Sequence, residues 1–184
     1  MADKNIIRKE IRNLRESLSK VEKEKYEKII LEKFFNLKEL QDSRVVMSYM
    51  DFKNEVSTYE INKKFLENKK KVLIPKISHD KREIYPVVFS DEMSLNSFGI
   101  YESDERYCGE DIDIVIVPGI AFNLRGYRIG FGKGYYDRFL SDRKEKNILK
   151  ISLAYDFQID DRFMEESHDI PIDILITDKR IIRF

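Results

Sequence analysis

The sequence predicts an α/β fold: a three-layer sandwich with a mainly parallel central sheet covered by helices on both faces. Short apolar, β-branched runs alternate with amphipathic stretches along most of the 184 residues, the order that yields parallel strands joined by crossover helices. The clearest run, DIVIVPG at 113–119, is apolar without alternation, as a strand buried on both faces must be. No repeat, low-complexity segment or Pro/Ser-rich linker interrupts the chain, so one domain spanning 1–184 is expected.

The elements follow in order. Ile7, Ile11, Leu14 and Leu18 recur at three- and four-residue spacing, predicting a helix over 4–18. Ser19-x-x-Glu22 has the form of a capping box and opens a second helix over about 20–40. RVVMSYM (44–50) reads as a short buried strand. Ser57-x-x-Glu60 repeats the capping pattern and opens a third helix ending in ENKKK. VLIP (72–75), IYPVVF (84–89), ILKISLAY (148–155) and IDILITD (172–178) read as strands, 135–142 as a helix, and RIIRF (180–184) as an edge strand.

Thirty-four basic residues balance thirty-four acidic ones, so no overall field draws the chain to nucleic acid or an anionic membrane. KKFLENKKK (63–71) lacks the interleaved aromatics of a nucleic-acid site and reads as the wet side of a helix. Cys108, the lone cysteine, rules out an intramolecular disulfide, fits a reducing compartment, and has no histidine beside it to make a nucleophile. His79 reads as an exposed loop residue. No apolar stretch approaches the ~20 residues of a membrane span. The first residues lack the apolar core of a secretory signal, and Asp3, Glu10 and Glu16 argue against a transit peptide. A cytoplasmic monomer acting on small molecules, with no nucleic-acid or membrane partner, is the expectation.

Chemistry concentrates in RGYRIGFGKGYYDRFL (125–140), where four of the seven glycines fall at 126, 130, 132 and 134. Glycines this close let successive backbone N–H groups converge on an anion, and a helix starting after them adds its positive end. Lys133 is a mobile point charge suited to phosphate in transfer, Arg128 a planar fork for bidentate contact, and Asp137 a carboxylate able to bring Mg²⁺ to the same phosphates. A Walker A loop is excluded by Tyr127 and Gly134, and the dinucleotide fingerprint by Tyr135. Read from the residues alone, the loop is either an anion cradle or a structural glycine turn with a solvated charged fringe. In open sheets, ligands lie beyond the C-terminal ends of strands at the strand-order switch, and this loop leaves from such an end.

VPGIAFNLRGYRIGFGKGYYDRFL (117–140) resembles the signature of the 5-formyltetrahydrofolate cyclo-ligase family, also called 5,10-methenyltetrahydrofolate synthetase. KNIIRKEIRNLRESLS, NEVST (54–58), IPK (74–76), FGIYE (98–102) and HDIPIDILITD (168–178) extend the likeness along almost the full length. The resemblance implies ATP-dependent ring closure of 5-formyltetrahydrofolate to 5,10-methenyltetrahydrofolate, with ADP and phosphate released and a phosphorylated formyl group as intermediate. ATP and Mg²⁺ are the implied co-substrate and cofactor. By the same resemblance the ATP phosphates would be lined by Arg128, Ile129, Gly130, Phe131, Gly132, Lys133, Gly134, Tyr135 and Tyr136, with Lys133 and Arg128 catalytic. Lys4, Asn5, Ile6, Ile7 and Arg8 match the family's K-x-x-L-R pattern, with Ile7 for Leu, and join the ATP site. Arg8, Met50, Glu55, Phe131, Gly132, Lys133, Gly134 and Tyr135 would border the folate, Glu55 through the adjacent N–H donors of the pterin. Asp137 and Asp169 would hold the metal, and His168 could orient Asp169. Each has a plainer alternative: Lys4 and Arg8 as solvated charges, Met50 as core, Glu55 as a turn residue, and the aspartates as helix-end or turn carboxylates. Trp is absent, Phe98 stands where the family often has one, and Glu102-Ser103 replaces a common Glu-Pro; these departures touch fine substrate contacts.

Overall fold

The computed structural model describes residues 2–78, 80–90, 107, 111–144 and 146–184. Helices α1 (Lys4–Ser17) and α2 (Lys20–Phe35) precede strand β1 (Val45–Met47). Helix α3 (Tyr59–Glu67) leads to β2 (Lys71–Ser78) and β3 (Glu83–Val88). Then come β4 (Ile114–Ile116), the hairpin β5 (Ala121–Phe122) and β6 (Arg128–Ile129), α4 (Tyr135–Ser141), β7 (Leu149–Ala154), β8 (Ile174–Thr177) and β9 (Ile181–Arg183).

The main sheet has the order β3-β2-β1-β4-β7-β8-β9. β2, β1, β4, β7 and β8 pair in parallel, while β3 and β9 close the edges antiparallel. Both faces are covered. Ile30 and Phe34 of α2 and Ile61 and Phe65 of α3 pack with Val46, Val72, Ile114 and Ile176 on one side. Phe139 and Leu140 of α4 pack with Met47, Leu73, Val115 and Leu175 on the other. Burying each such side chain favours the fold by ~1.5–3 kcal/mol, and β-branched runs supply them on both faces at once. The expected α/β sandwich is the observed one.

Helix α1 belongs to a third cluster, where Ile7 and Ile11 meet Ala121, Ile129 and Phe163. Its stripe differs from the expected one. Ile7, Ile11 and Arg15 are the buried positions, whereas Leu14 is 46% exposed. The four-residue step, rather than the three-residue one, follows the buried face here.

Three boundaries also differ. The Ser19–Glu22 capping box is present, but α2 stops at Phe35 because Leu37 turns extended (ψ 129°) and sends itself and Leu40 into the core. Thr58, not Ser57, stands at the α3 N-cap. Ser57 is engaged elsewhere, its Oγ donating to Asp51 at 3.1 Å and its N–H to Glu27 at 2.9 Å. Strand β2 runs past the expected 72–75 because β3 returns against it as far as Ser78 paired with Glu83. His79, Phe98, Glu102, Ser103 and Cys108 lie outside the described residues.

From β1 the chain moves outward to β2 and β3, and from β4 it moves the opposite way to β7, β8 and β9. The strand order therefore reverses between β1 and β4, where connections leaving the two C-terminal ends part to opposite sides and open a crevice.

Candidate active site

A cavity of about 480 Å³ occupies that crevice. The segment after β1 contributes Tyr49, Met50, Phe52 and Glu55; the segment after β4 contributes Pro118, Arg128, Gly130–Asp137, and further on Glu166, His168 and Asp169. Met50 and Glu55, which lie some eighty residues from the glycine-rich loop in sequence, thus share one chamber with Lys133.

Gly126, Gly132 and Gly134 have positive φ, whereas Gly130 does not. Gly126 serves the fold: its φ is +85°, and a Cβ there would meet Phe184 Cγ at 2.9 Å and the Ile172 carbonyl oxygen at 3.1 Å. Asn123 shapes the same hairpin by accepting from the N–H groups of Arg125 and Tyr127 at 3.1 and 2.9 Å. Arg125 fastens it outward, to Asp161, Glu165 and the Phe163 carbonyl. Gly130 is the opposite case. It needs no left-handed backbone, nothing lies within 4 Å of where its Cβ would stand, and it lines the cavity. Conformation does not call for glycine at 130; close approach of a ligand to the backbone would.

Lys133 is exposed and, among the described residues, has no hydrogen bond or ion pair, so its ammonium can follow a charge. Arg128 does not present the open fork expected of it. It is 7% exposed, Nη1 donates to the Ile170 carbonyl at 2.7 Å, and Nη2 donates to Asp137 Oδ1 at 2.9 Å. Its guanidinium borders the cavity while holding the loop in shape. Ile129 is buried in the core, and Tyr135 and Tyr136 open α4 along the cavity wall.

The first turn of α1 is stitched to this loop from outside. Arg8 Nε donates to the Gly130 carbonyl at 2.9 Å, and Nη1 donates to Asn5 Oδ1 at 2.7 Å. Lys4 Nζ lies 2.7 Å from Glu166 Oε1 and 3.4 Å from Asp169 Oδ2. Lys4, Asn5 and Arg8 are therefore gathered at the rim. Ile6 is 53% exposed and Ile7 fully buried among core residues, so Ile7 has no side-chain surface to offer a ligand.

Two of the cavity's polar groups are buried. Glu55 is 6% exposed; Oε2 accepts the Phe52 N–H at 3.0 Å, while Oε1 is buried with no hydrogen-bond partner among the described residues. Burial pushes its carboxyl up to about 7, against the opposing pull of the Phe52 N–H and of Arg15, with Asp51 adding to the rise. The Tyr136 hydroxyl is likewise buried, with no hydrogen-bond partner among the described residues. Leaving such groups unpaired costs ~1–3 kcal/mol each, so they suit a ligand carrying its own N–H and C=O groups. Met50 forms the adjoining wall and receives a weak contact from Asn62 Nδ2 at 3.7 Å.

Asp137 and Asp169 both face the cavity. Asp137 Oδ1 is occupied by Arg128 and the Ile170 N–H, and Asp169 Oδ2 by Lys4 and the Glu166 N–H. Each keeps its other oxygen clear of hydrogen bonds among the described residues. No group of three or more His, Cys, Asp or Glu converges there among those residues. Two hard-oxygen donors beside the glycine-rich loop are of the type that fits Mg²⁺, which is held by one or two carboxylates plus phosphate oxygens and water. His168 stands 3.9 Å from Asp169 Oδ1, too far to orient it by a hydrogen bond.

Sequence reasoning missed Tyr49, Phe52, Pro118 and Glu166, with Ile74, Pro75 and Ile77 of β2 and Ile84 of β3, as lining residues, and Arg15, whose charge bears on Glu55. A signal existed for Arg15: it continues the Ile7–Ile11 four-residue step onto the buried face. No described helix is long and apolar enough to cross a membrane.

Residues 1–178 match the 5-formyltetrahydrofolate cyclo-ligase family. A 5-formyltetrahydrofolate cyclo-ligase of Mycoplasma pneumoniae is 33% identical over 178 residues, covering 96% of this chain and 99% of the relative. One from Haemophilus influenzae is 29% identical, covering 92% and 95%. The solved structure of Aquifex aeolicus 5,10-methenyltetrahydrofolate synthetase superposes with a TM-score of 0.82 at 36% identity, covering 98% of this chain and 92% of that one.

Proposed function

The chain belongs to the 5-formyltetrahydrofolate cyclo-ligase family, and from that premise we propose that it converts 5-formyltetrahydrofolate to 5,10-methenyltetrahydrofolate at the expense of MgATP. The observation that carries this reading is the one cavity at the strand-order switch, whose lining joins the glycine-rich loop and Lys133 to Met50 and Glu55.

A formyl amide is a poor electrophile, because the N5 lone pair is delocalised into its carbonyl. The remedy is to make the oxygen a leaving group. The formyl oxygen attacks the γ-phosphorus of ATP, the bond to the β,γ-bridging oxygen breaks, and ADP departs. N10 then attacks the formyl carbon and loses its proton; the N5 lone pair expels phosphate, and the five-membered imidazolinium ring is closed. Since N10 and the formyl carbon belong to one molecule, the second step gains from proximity. The first step depends mainly on positioning and charge neutralisation.

Each role has a residue suited to it. Lys133 follows negative charge from the γ-phosphate to the formyl oxygen. The backbone at Gly130 and Gly132 admits the phosphates, with Lys4 and Arg8 at the rim. Arg128 keeps the loop and Asp137 in register. Glu55 accepts from the pterin's adjacent N–H groups, and Met50 covers its face. Asp137 and Asp169 would hold Mg²⁺, which supplies charge neutralisation and orientation of the phosphates. In the cytoplasm a monomer of this kind would meet both substrates free in solution.

The test is direct: protein, MgATP and 5-formyltetrahydrofolate are mixed and the methenyl-folate absorbance followed. A rise that requires both MgATP and the folate is expected. No rise at high protein concentration rejects the assignment.

A further inference from the structure

Arg15 sits 2% exposed on α1 with no role in the chemistry described so far. A buried arginine costs free energy unless its charge is met, so its surroundings are informative. Nη2 donates to the Lys53 carbonyl at 3.1 Å, and Nε is buried without a partner among the described residues. Lys53 and Asn54 are consecutive non-glycine residues in left-handed conformation, at φ +48° and +59°. Asparagine takes this conformation readily, but a lysine holds it at a cost of ~1–3 kcal/mol and only where its surroundings impose it. This strained turn delivers Glu55 to the cavity, and the Arg15 bond lies on its first left-handed residue.

We propose that Arg15 is the positioning residue for Glu55: its bond to the Lys53 carbonyl holds the left-handed turn that delivers this carboxylate to the cavity, and its buried charge lies near enough to bear on it. The role depends on Glu55 binding the substrate's ring. Besides Arg15 from α1, the groups facing Glu55 are Asp51 from its own loop, Tyr49 after β1 and Tyr136 from α4. Arg15 is the cation among them. Asp51 opposes charge on Glu55, and burial drives both tyrosines further toward the neutral phenol. Without Arg15 the carboxyl would rise beyond about 7, protonate near neutral pH, and lose an acceptor for the ring N–H groups.

The experiment measures the Kd of 5-formyltetrahydrofolate between pH 5.5 and 9, without nucleotide, for the parent protein and for Arg15→Gln, Arg15→Lys, Glu55→Gln and Arg15→Gln/Glu55→Gln. In the parent, binding should weaken as pH falls through a midpoint near 7. Arg15→Gln should move that midpoint up by about one pH unit, weakening binding at pH 7 about fivefold. Arg15→Lys, which keeps the charge but not the fork, should leave the midpoint in place while weakening binding at every pH. Adding Arg15→Gln to Glu55→Gln should produce no further pH shift. If Arg15→Gln is too unstable to titrate, Arg15→Lys decides: a midpoint displaced by a full unit despite the retained cation overturns the role. A folded Arg15→Gln with an unmoved midpoint also overturns it. Loss of the cyclo-ligase reading looks different, since Glu55→Gln would then bind as the parent does, or the parent would not bind the folate.

Discussion

Arg128 and Asp137, nine positions apart across the glycine-rich loop, meet at 2.9 Å between Nη2 and Oδ1. Ile170 closes the figure from both sides: its carbonyl accepts from Arg128 Nη1 at 2.7 Å, and its N–H donates to the same Asp137 oxygen at 3.1 Å. One guanidinium thus fastens the loop's two ends to the segment carrying Asp169.

This clamp makes Arg128 structural as well as electrostatic. Arg128→Lys keeps a cation but cannot reach both partners at once, and it should lower unfolding free energy by ~1–3 kcal/mol in urea titration. Parent-like stability, with ATP affinity alone reduced, would show that the fork serves the nucleotide and not the loop.

Lys133 is the converse case, exposed and unpaired among the described residues. Lys133→Ala should leave the urea midpoint unchanged and folate binding within about threefold. Turnover should fall ~100-fold or more, as when one preorganised charge-stabilising donor is removed. Turnover within a few-fold of the parent would take Lys133 out of the transition state.

Gly126 and Gly130 separate fold from function. Gly126→Ala places a methyl against Phe184 and the Ile172 carbonyl at positive φ, so a loss of ~1–2 kcal/mol in stability is expected. Gly130→Ala meets nothing within 4 Å; its melting temperature should match the parent's while its KM for ATP rises. Equal stability losses in the two variants would contradict this division.

Glu55 should leave a signature in stability against pH. Its folded carboxyl is raised to about 7 from an ordinary 4.5, so between those values the folded state binds the proton that the unfolded chain has released. Stability therefore falls as pH rises from about 4.5 to 7 and levels off above, by an amount on the order of 3 kcal/mol. Glu55→Gln removes that slope, so its stability relative to the parent should improve by this order from pH 5 to pH 8 in chemical denaturation. A difference that stays constant with pH would mean that Glu55 is not held in this environment.

Much of this was legible in advance where the signal is local. The run DIVIVPG announced a strand buried on both faces, and Ser19 with Glu22 announced a helix start, because both depend on neighbours in sequence. The two-residue strands β5 and β6 leave no such signal. Each is too short for any periodicity, and the hairpin holds through Asn123, Arg125 and the overlying Phe184. Three- and four-residue steps look alike over one turn, so the sequence puts Leu14 on the buried stripe; only the packing partners Ala121, Ile129 and Phe163 select between the two.

By itself the sequence determined the α/β layering, the parallel sheet and the loop where charge and bare backbone coincide, since each is a matter of residue type and spacing. The tertiary structure decided which glycines turn the chain and which leave room, that Arg128 is spent inward while Lys133 stays free among the described residues, and that the charge of Arg15 bears on Glu55. Those are relations between distant segments. They arise where the strand order reverses between β1 and β4, and contacts across that crevice have no periodicity along the chain.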